Sequence, residues 1–165
     1  MLSLIHDVAS VVYTGWLKAA RKSGVSEADI VGRCRSLLRR SPYWARGHLC
    51  IGTAALAVGD LRTAYASAQA LLALKPAAAS SWILLARCRT AAHQFEPAIN
   101  LARKALTLDP TNYEAREELA AALIPLERYD EASEALRKIP VSSRTHSVLS
   151  MLSYLDHRAN SSSPT

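Results

Sequence analysis

Residues 79–112, which read ASSWILLARCRTAAHQFEPAINLARKALTLDPTN, decide the fold. They contain two runs of strong helix formers, 82–92 and 97–108, with the polar pair His93 and Gln94 between them. Because polar residues between two helix-forming runs mark a turn, this stretch predicts a helical hairpin.

The hairpin is one unit of a repeat, whose constant period is marked by the evenly spaced prolines Pro42, Pro76 and Pro110. Small residues recur where two helices of a hairpin must approach within about 8–10 Å. The columns that keep their residue type at this offset are Ile51, Leu85 and Leu119; Gly52, Ala86 and Ala120; Leu61, Phe95 and Tyr129; Ala64, Ala98 and Ala132; and Leu38, Leu72 and Leu106.

These units resemble the tetratricopeptide repeat, whose unit of about 34 residues has the pattern W-x2-L-G-x2-Y, then A-x3-F, then A, then P. The resemblance covers 45–139 and extends backward through 11–42. It implies an all-α fold, a right-handed superhelical solenoid of antiparallel helix pairs. The signature places of the middle unit hold Trp82, Leu85, Ala86, Ala98, Ala105 and Pro110.

The repeat predicts a single domain over 1–158. Pro125 is expected to kink the last unit, and Pro140 is expected to end its second helix early, as at the end of an array. The helix after it places Val148, Leu152 and Leu155 on one face, as a capping helix would. The expected segments are a degenerate repeat at about 11–44, repeats at 45–78, 79–112 and 113–140, a capping helix at about 144–157, and a flexible tail at 159–165.

The charge is unevenly distributed along the chain. The net charge is +6, yet residues 1–46 hold 8 Lys or Arg against 3 Asp or Glu. Residues 113–134 hold seven acids against two arginines. Opposite charges at the two ends favour head-to-tail self-assembly as an alternative function. The acids are Glu114, Glu117, Glu118, Glu127, Asp130, Glu131 and Glu134.

The N-terminal apolar stretch contains His6 and Asp7 and no leading Lys or Arg, so we do not expect a secretion signal. No run of about 18 uncharged apolar residues occurs, which argues against a membrane span and favours a cytoplasmic location. The stretch is compatible with core packing, self-association or membrane-surface contact, and core packing is favoured. Its apolar side chains are Leu2, Ile5, Val8, Val12 and Trp16.

No catalytic, cofactor or metal motif is present, so we expect no enzyme activity, no cofactor and no metal site. The histidines are scattered singly, whereas a metal site needs clustered donors. Three cysteines without C-x-x-C spacing argue against a disulfide framework and against a zinc module. Cys34 and Cys88 stand at apolar or small positions of the repeat and are interpreted as buried packing residues.

The resemblance implies a protein–protein interaction module, such as an adaptor, scaffold or chaperone, that binds a peptide or helix in a concave groove. The partner would carry an acidic segment for Arg46 and Arg87, or an apolar one for Leu49, Leu56 and Ile83. The full set of groove residues is Arg46, Leu49, Thr53, Leu56, Ser80, Ile83, Arg87, Thr90, Glu114 and Glu117.

Two further alternatives remain open, a type III secretion-like chaperone and a nucleic-acid-associated protein. The repeats that bind acidic C-termini of heat-shock chaperones carry Lys and Asn where this chain has Leu49 and Thr53, which argues against that specialisation. Type III secretion chaperones are similar in size and number of repeats. A nucleic-acid partner is less favoured than a solvated helix face for the basic and aromatic cluster Arg33, Arg35, Arg39, Arg40, Tyr43, Trp44 and Arg46.

Overall fold

The computed structural model describes residues 22–161, and the regular structure of this part of the chain is helical throughout. It divides between Pro76 and Ala77 into two compact units. The all-α fold class is therefore confirmed. The helices are α1 (Glu27–Arg40), α2 (Ala45–Ala57), α3 (Leu61–Leu74), α4 (Ala79–Ala91), α5 (Phe95–Leu108), α6 (Tyr113–Leu123), α7 (Tyr129–Arg137) and α8 (His146–Ser161), with short 3-10 turns at Ile124–Leu126 and Val141–Ser143.

The first unit contains α1, α2 and α3, with α2 packed between the other two. Ile30 on α1 and Ile51 on α2 belong to one buried cluster. Helices α2 and α3 form the helical hairpin expected of the repeat at 45–78. The first half of the degenerate repeat and the apolar stretch at 1–17 lie outside the described residues.

The second unit contains two hairpins, α4 with α5 and α6 with α7, followed by α8. Its main core joins Ile99 of α5, Leu123 of α6, Leu136 of α7 and Val148 of α8, each at most 1% exposed. Full burial of a side chain of this size contributes about 1.5–3 kcal/mol. The core therefore forms from the apolar columns of consecutive helices.

The small residues of the repeat lie where helices approach each other. Ala86 and Ala120 are fully buried, as are Ala98 and Ala132 on the second helices. A larger side chain at such a position would force the helix axes apart. The repeated small columns are thus packing positions, as the sequence predicts.

Each hairpin turn contains a residue with left-handed backbone conformation at the same place in the repeat. The φ angles are 77° at Gly59, 56° at His93 and 59° at Glu127. This conformation lets the following N–H cap the preceding helix, in the manner of a Schellman motif. In each case a backbone N–H donates to a backbone carbonyl five residues earlier. The pairs are Asp60 with Ala55 (2.8 Å), Gln94 with Arg89 (2.9 Å) and Arg128 with Leu123 (3.2 Å).

Replacing Glu127 by glycine is expected to raise the free energy of unfolding by about 0.5–1 kcal/mol. A side chain in the left-handed region costs about 1–2 kcal/mol, and the greater freedom of unfolded glycine offsets part of that gain. Urea denaturation would measure the change. The matched control is Gly59→Ala, which should lower stability by about 1 kcal/mol because its φ is unsuitable although the surrounding space is open. A lower urea midpoint for Glu127→Gly would contradict the prediction.

The last hairpin departs from the expected kink. Helix α6 ends at Leu123, and Pro125 lies in the following 3-10 turn, so proline breaks no bond inside the helix. Helix α7 ends at Arg137, before Pro140, as predicted.

The capping helix is present but longer than expected. Thr145 caps α8, since its hydroxyl accepts a hydrogen bond from the backbone N–H of Val148 at 3.2 Å. The helix continues to Ser161, so the first three residues of the predicted tail are helical, while 162–165 lie outside the described residues. Among the described helices, none has the length and apolar character to cross a membrane.

Candidate functional site

In the first unit, the predicted binding residues lie on α2. Arg46 is exposed, while Leu49, Thr53 and Leu56 are half-buried. Their spacing of three or four residues places them on one side of the helix. The Thr53 hydroxyl donates to the backbone carbonyl of Leu49 at 3.0 Å, so it is satisfied within the helix. The α2 face therefore presents two partly accessible leucines beside one cation.

In the second unit, the predicted residues of α4 divide into two groups. Ser80, Arg87 and Thr90 are half-buried and reach the surface. Ile83 is only 2% exposed, because it packs in a cluster with Ala105 of α5. The prediction that Ile83 anchors a partner is therefore corrected, because its side chain is buried in the core and is not accessible to a partner.

On α6, the two predicted glutamates differ in exposure. Glu114 is exposed, whereas Glu117 is half-buried. The Thr145 hydroxyl lies 3.3 and 3.4 Å from the two carboxylate oxygens of Glu117 and donates to that group. The carboxylate of Glu117 is thus held next to the start of α8.

A buried carboxylate lies between α4 and α6. Glu118 is 8% exposed. The Thr90 hydroxyl donates to one of its oxygens at 2.8 Å, and the Nε of Arg87 lies 3.4 Å from the other. Arg87 also approaches Glu114, with 3.7 Å between Nη2 and the carboxylate. The sequence predicts that Arg87 binds a carboxylate of a partner. In this structure, Arg87 lies beside two carboxylates of its own chain instead.

Burial has the largest effect on the pKa values of Glu118 and Cys88 in this cluster. Loss of hydration raises the pKa of Glu118, while the bond from Thr90 and the charge of Arg87 act in the opposite direction. The neighbouring Cys88 thiol has its pKa raised to about 11, chiefly by burial and further by the negative charge of Glu118. A thiol with such a pKa stays protonated at neutral pH and is a poor nucleophile.

Sequence reasoning missed Glu118, although helical spacing gives a signal for it. Glu118 follows Glu114 by four residues, so both side chains lie on the same side of α6. A second acid at that spacing, beside a helix that carries Arg87, is the pattern that would have indicated an ion-pair cluster.

The acidic stretch 113–134 is partly neutralised by basic residues of the second unit. Four of its seven acids have ion-pair partners there, which leaves less charge to attract the basic end of a neighbouring copy. Head-to-tail self-assembly thus loses part of its electrostatic basis. The pairs are Glu114 and Glu118 with Arg87, Glu131 with Arg103 and Arg128, and Glu134 with Lys138.

The antiparallel helix pairs recur at the period marked by the prolines. The first helices of these pairs carry polar and partly apolar side chains at their surface. This arrangement defines an α-helical repeat protein. The family model described as tetratricopeptide repeat matches residues 89–152. Together with the fold described above, this match confirms the resemblance to the tetratricopeptide repeat found in the sequence.

Solved structures share this fold. The chain is similar to TTC0263, a thermophilic TPR protein of Thermus thermophilus, with a TM-score of 0.75 and 16% identity over 86% of this chain and 78% of that one. The Sgt2 TPR domain of Aspergillus fumigatus gives 0.65 and 21% over 73% and 85%. MamA 41-end from Desulfovibrio magneticus RS-1 gives 0.59 and 19% over 88% and 73%. Among curated proteins, none matches the sequence significantly.

Proposed function

We propose that this chain is a non-enzymatic protein–protein interaction module, an adaptor, scaffold or chaperone, that binds a peptide or helix of a partner protein through the first helices of its repeats. The observation that carries the proposal is the surface of α2, where Leu49 and Leu56 stay partly accessible beside the exposed Arg46. Tetratricopeptide repeats are typically interaction modules without catalytic activity, and this chain has their fold. A cytoplasmic location remains part of the proposal.

The chemistry of the α2 face indicates what it would hold. Leucine side chains gain free energy when a partner's apolar group removes them from water, at about 25 cal/mol per Å² of apolar area. Arg46 can add a charge-assisted hydrogen bond to a carboxylate. An apolar segment with an acidic residue beside it therefore fits this face.

On α4 and α6 of the second unit, Ser80, Thr90, Glu114 and Glu117 supply the polar contacts in our proposal. Since Arg87 already lies beside two carboxylates, we assign it to holding α4 and α6 together. The partner's contacts to this unit would then be hydrogen bonds to hydroxyl and carboxylate groups.

Site-directed photo-crosslinking would identify the partner and test the face at once. A photoreactive amino acid at position 49 is expected to capture a partner from cell extract, whereas the same group at position 104 is not. Lys104 is a suitable control because it is exposed on the second helix α5. Equal capture from both positions would argue against a specific face.

With the captured partner purified, Leu49→Glu is expected to weaken binding at least about tenfold, a change of about 1.4 kcal/mol. The substitution places a charge where we expect apolar contact, and such desolvation is unfavourable. Lys104→Glu should leave affinity within about twofold, and circular dichroism should show unchanged helix content in both variants. Calorimetric titration that gives one affinity for wild type and Leu49→Glu would exclude α2 as the binding face.

A further inference from the structure

Two cysteines of the first unit face each other inside its core. Cys34 on α1 and Cys50 on α2 have their Sγ atoms 3.2 Å apart. Cys34 is fully buried and Cys50 is 8% exposed. They lie in the cluster that joins Ile30 and Ile51, which holds the two helices together. A disulfide needs a sulfur separation of about 2.05 Å, so the two sulfur atoms would have to approach by only about 1 Å.

We propose that Cys34 and Cys50 form a site of oxidative modification, at which a peroxide converts the thiol pair into a disulfide that links α1 to α2. The proposal rests on this pair alone and is independent of partner binding. The reaction joins two sulfur atoms that already contact each other within one buried cluster.

The reaction proceeds in two steps with hydrogen peroxide. One cysteine sulfur attacks an oxygen, so an S–O bond forms, the O–O bond breaks, and the leaving hydroxide takes the proton of that thiol as water. The second sulfur then attacks the sulfenic sulfur, so the S–S bond forms and the S–O bond breaks. The second hydroxide takes the remaining thiol proton and leaves as water. The thiol pair loses two electrons, and the peroxide gains them.

Accessibility assigns the order of the two thiols. Cys50 retains some exposure and meets the peroxide first, whereas the fully buried Cys34 attacks afterwards from 3.2 Å. Cys88 provides a contrast in the second unit, since it is 2% exposed and its pKa is raised to about 11. We expect Cys88 to remain a thiol while the pair is oxidised.

The modification would strengthen the first unit. A bond between positions 34 and 50 restricts the unfolded chain and keeps α1 on α2. We expect the thermal midpoint of the oxidised protein to lie a few degrees above that of the reduced protein, and a dithiol reductant to reverse the shift.

The test uses the full chain, reduced, treated with hydrogen peroxide and then alkylated under denaturing conditions. After trypsin digestion, mass spectrometry should show residues 34–35 linked to residues 47–62, with Cys88 alkylated. Cys88→Ser should retain the linked peptide, and Cys50→Ser should lose it together with the thermal shift. Electrophoresis without reductant should show a monomer, which places the bond within one chain.

Several results would overturn the proposal, and all can be read on the wild-type chain. Alkylation of all three cysteines after peroxide treatment would show that the pair does not react. Sulfinic acid at Cys50 without the linked peptide would show that Cys34 cannot reach it. Bonds to Cys88, or between chains, would show that the observed geometry does not direct the oxidation.

Discussion

Replacing Arg87 by alanine is expected to lower the free energy of unfolding by about 2 kcal/mol at pH 7. The substitution leaves Glu118 buried with the hydroxyl of Thr90 as its remaining polar partner in the cluster. Removing one member of a fully buried ion pair costs about 3–5 kcal/mol. Arg87 is about one-third exposed, with 33% of its side chain accessible, so water screens part of the charge and reduces the effect.

The loss should depend on pH in a definite direction. Burial holds the pKa of Glu118 above its ordinary value of 4.5, so the folded state keeps the proton in a range where the unfolded state has released it. Stability therefore falls as pH rises from about 4.5 through the raised pKa. Without Arg87 this pKa rises further, because the arginine favours the charged form. The difference between variant and wild type is thus larger at pH 7 than at pH 4.

Urea denaturation at pH 4 and pH 7 measures both quantities. Glu118→Gln removes the buried charge, so Arg87→Ala should cost less in that background, and the double-mutant cycle isolates the interaction. Arg137→Ala is the surface control, since its pair with Asp156 is largely exposed and should contribute less than about 1 kcal/mol. An Arg87→Ala variant as stable as Arg137→Ala at pH 7 would show that the pair contributes little.

Most of the fold can be predicted from the positions that keep their residue type in every repeat, because each of these positions has a fixed place in a helical hairpin. Small residues at one position and turn residues at another, repeated at a constant period, are enough to specify the hairpins. Glu127 shows the limit of this prediction. Its left-handed φ is similar to that of Gly59, but glutamate, unlike glycine, gives no sequence signal for that conformation. The repeat places the turn correctly even where the residue type is unfavourable.

The candidate site was less predictable, because exposure depends on how neighbouring helices pack. Ile83 occupies a family binding column, but its contact with α5 buries it. Arg87 occupies another and is paired by acids one repeat later. The proximity of Cys34 and Cys50 likewise arises from the packing of two helices in different repeats, which no single column records. The burial of Cys34 as a packing residue was predictable from its place in the repeat, whereas its proximity to Cys50 was not.

Replacing Leu123 by alanine is expected to lower the free energy of unfolding by about 3 kcal/mol, the largest effect predicted for this chain. Leu123 is 1% exposed and lies in the core of the second unit with Ile99, Leu136 and Val148. Truncation removes apolar contacts and leaves a cavity, for which substitutions of this kind cost about 2–5 kcal/mol. The backbone cap stays possible, since the Leu123 carbonyl still accepts from Arg128.

Hydrogen exchange together with urea denaturation would locate the loss. Amide protection should fall in α5, α6, α7 and α8, which contribute side chains to this core. Leu108→Ala is the matched control on α5: that leucine is 39% exposed, so it should cost less than about 1 kcal/mol. If the two alanine variants unfold at the same urea concentration, Leu123 does not lie in a tightly packed core, and the helix arrangement described for the second unit is wrong at that point.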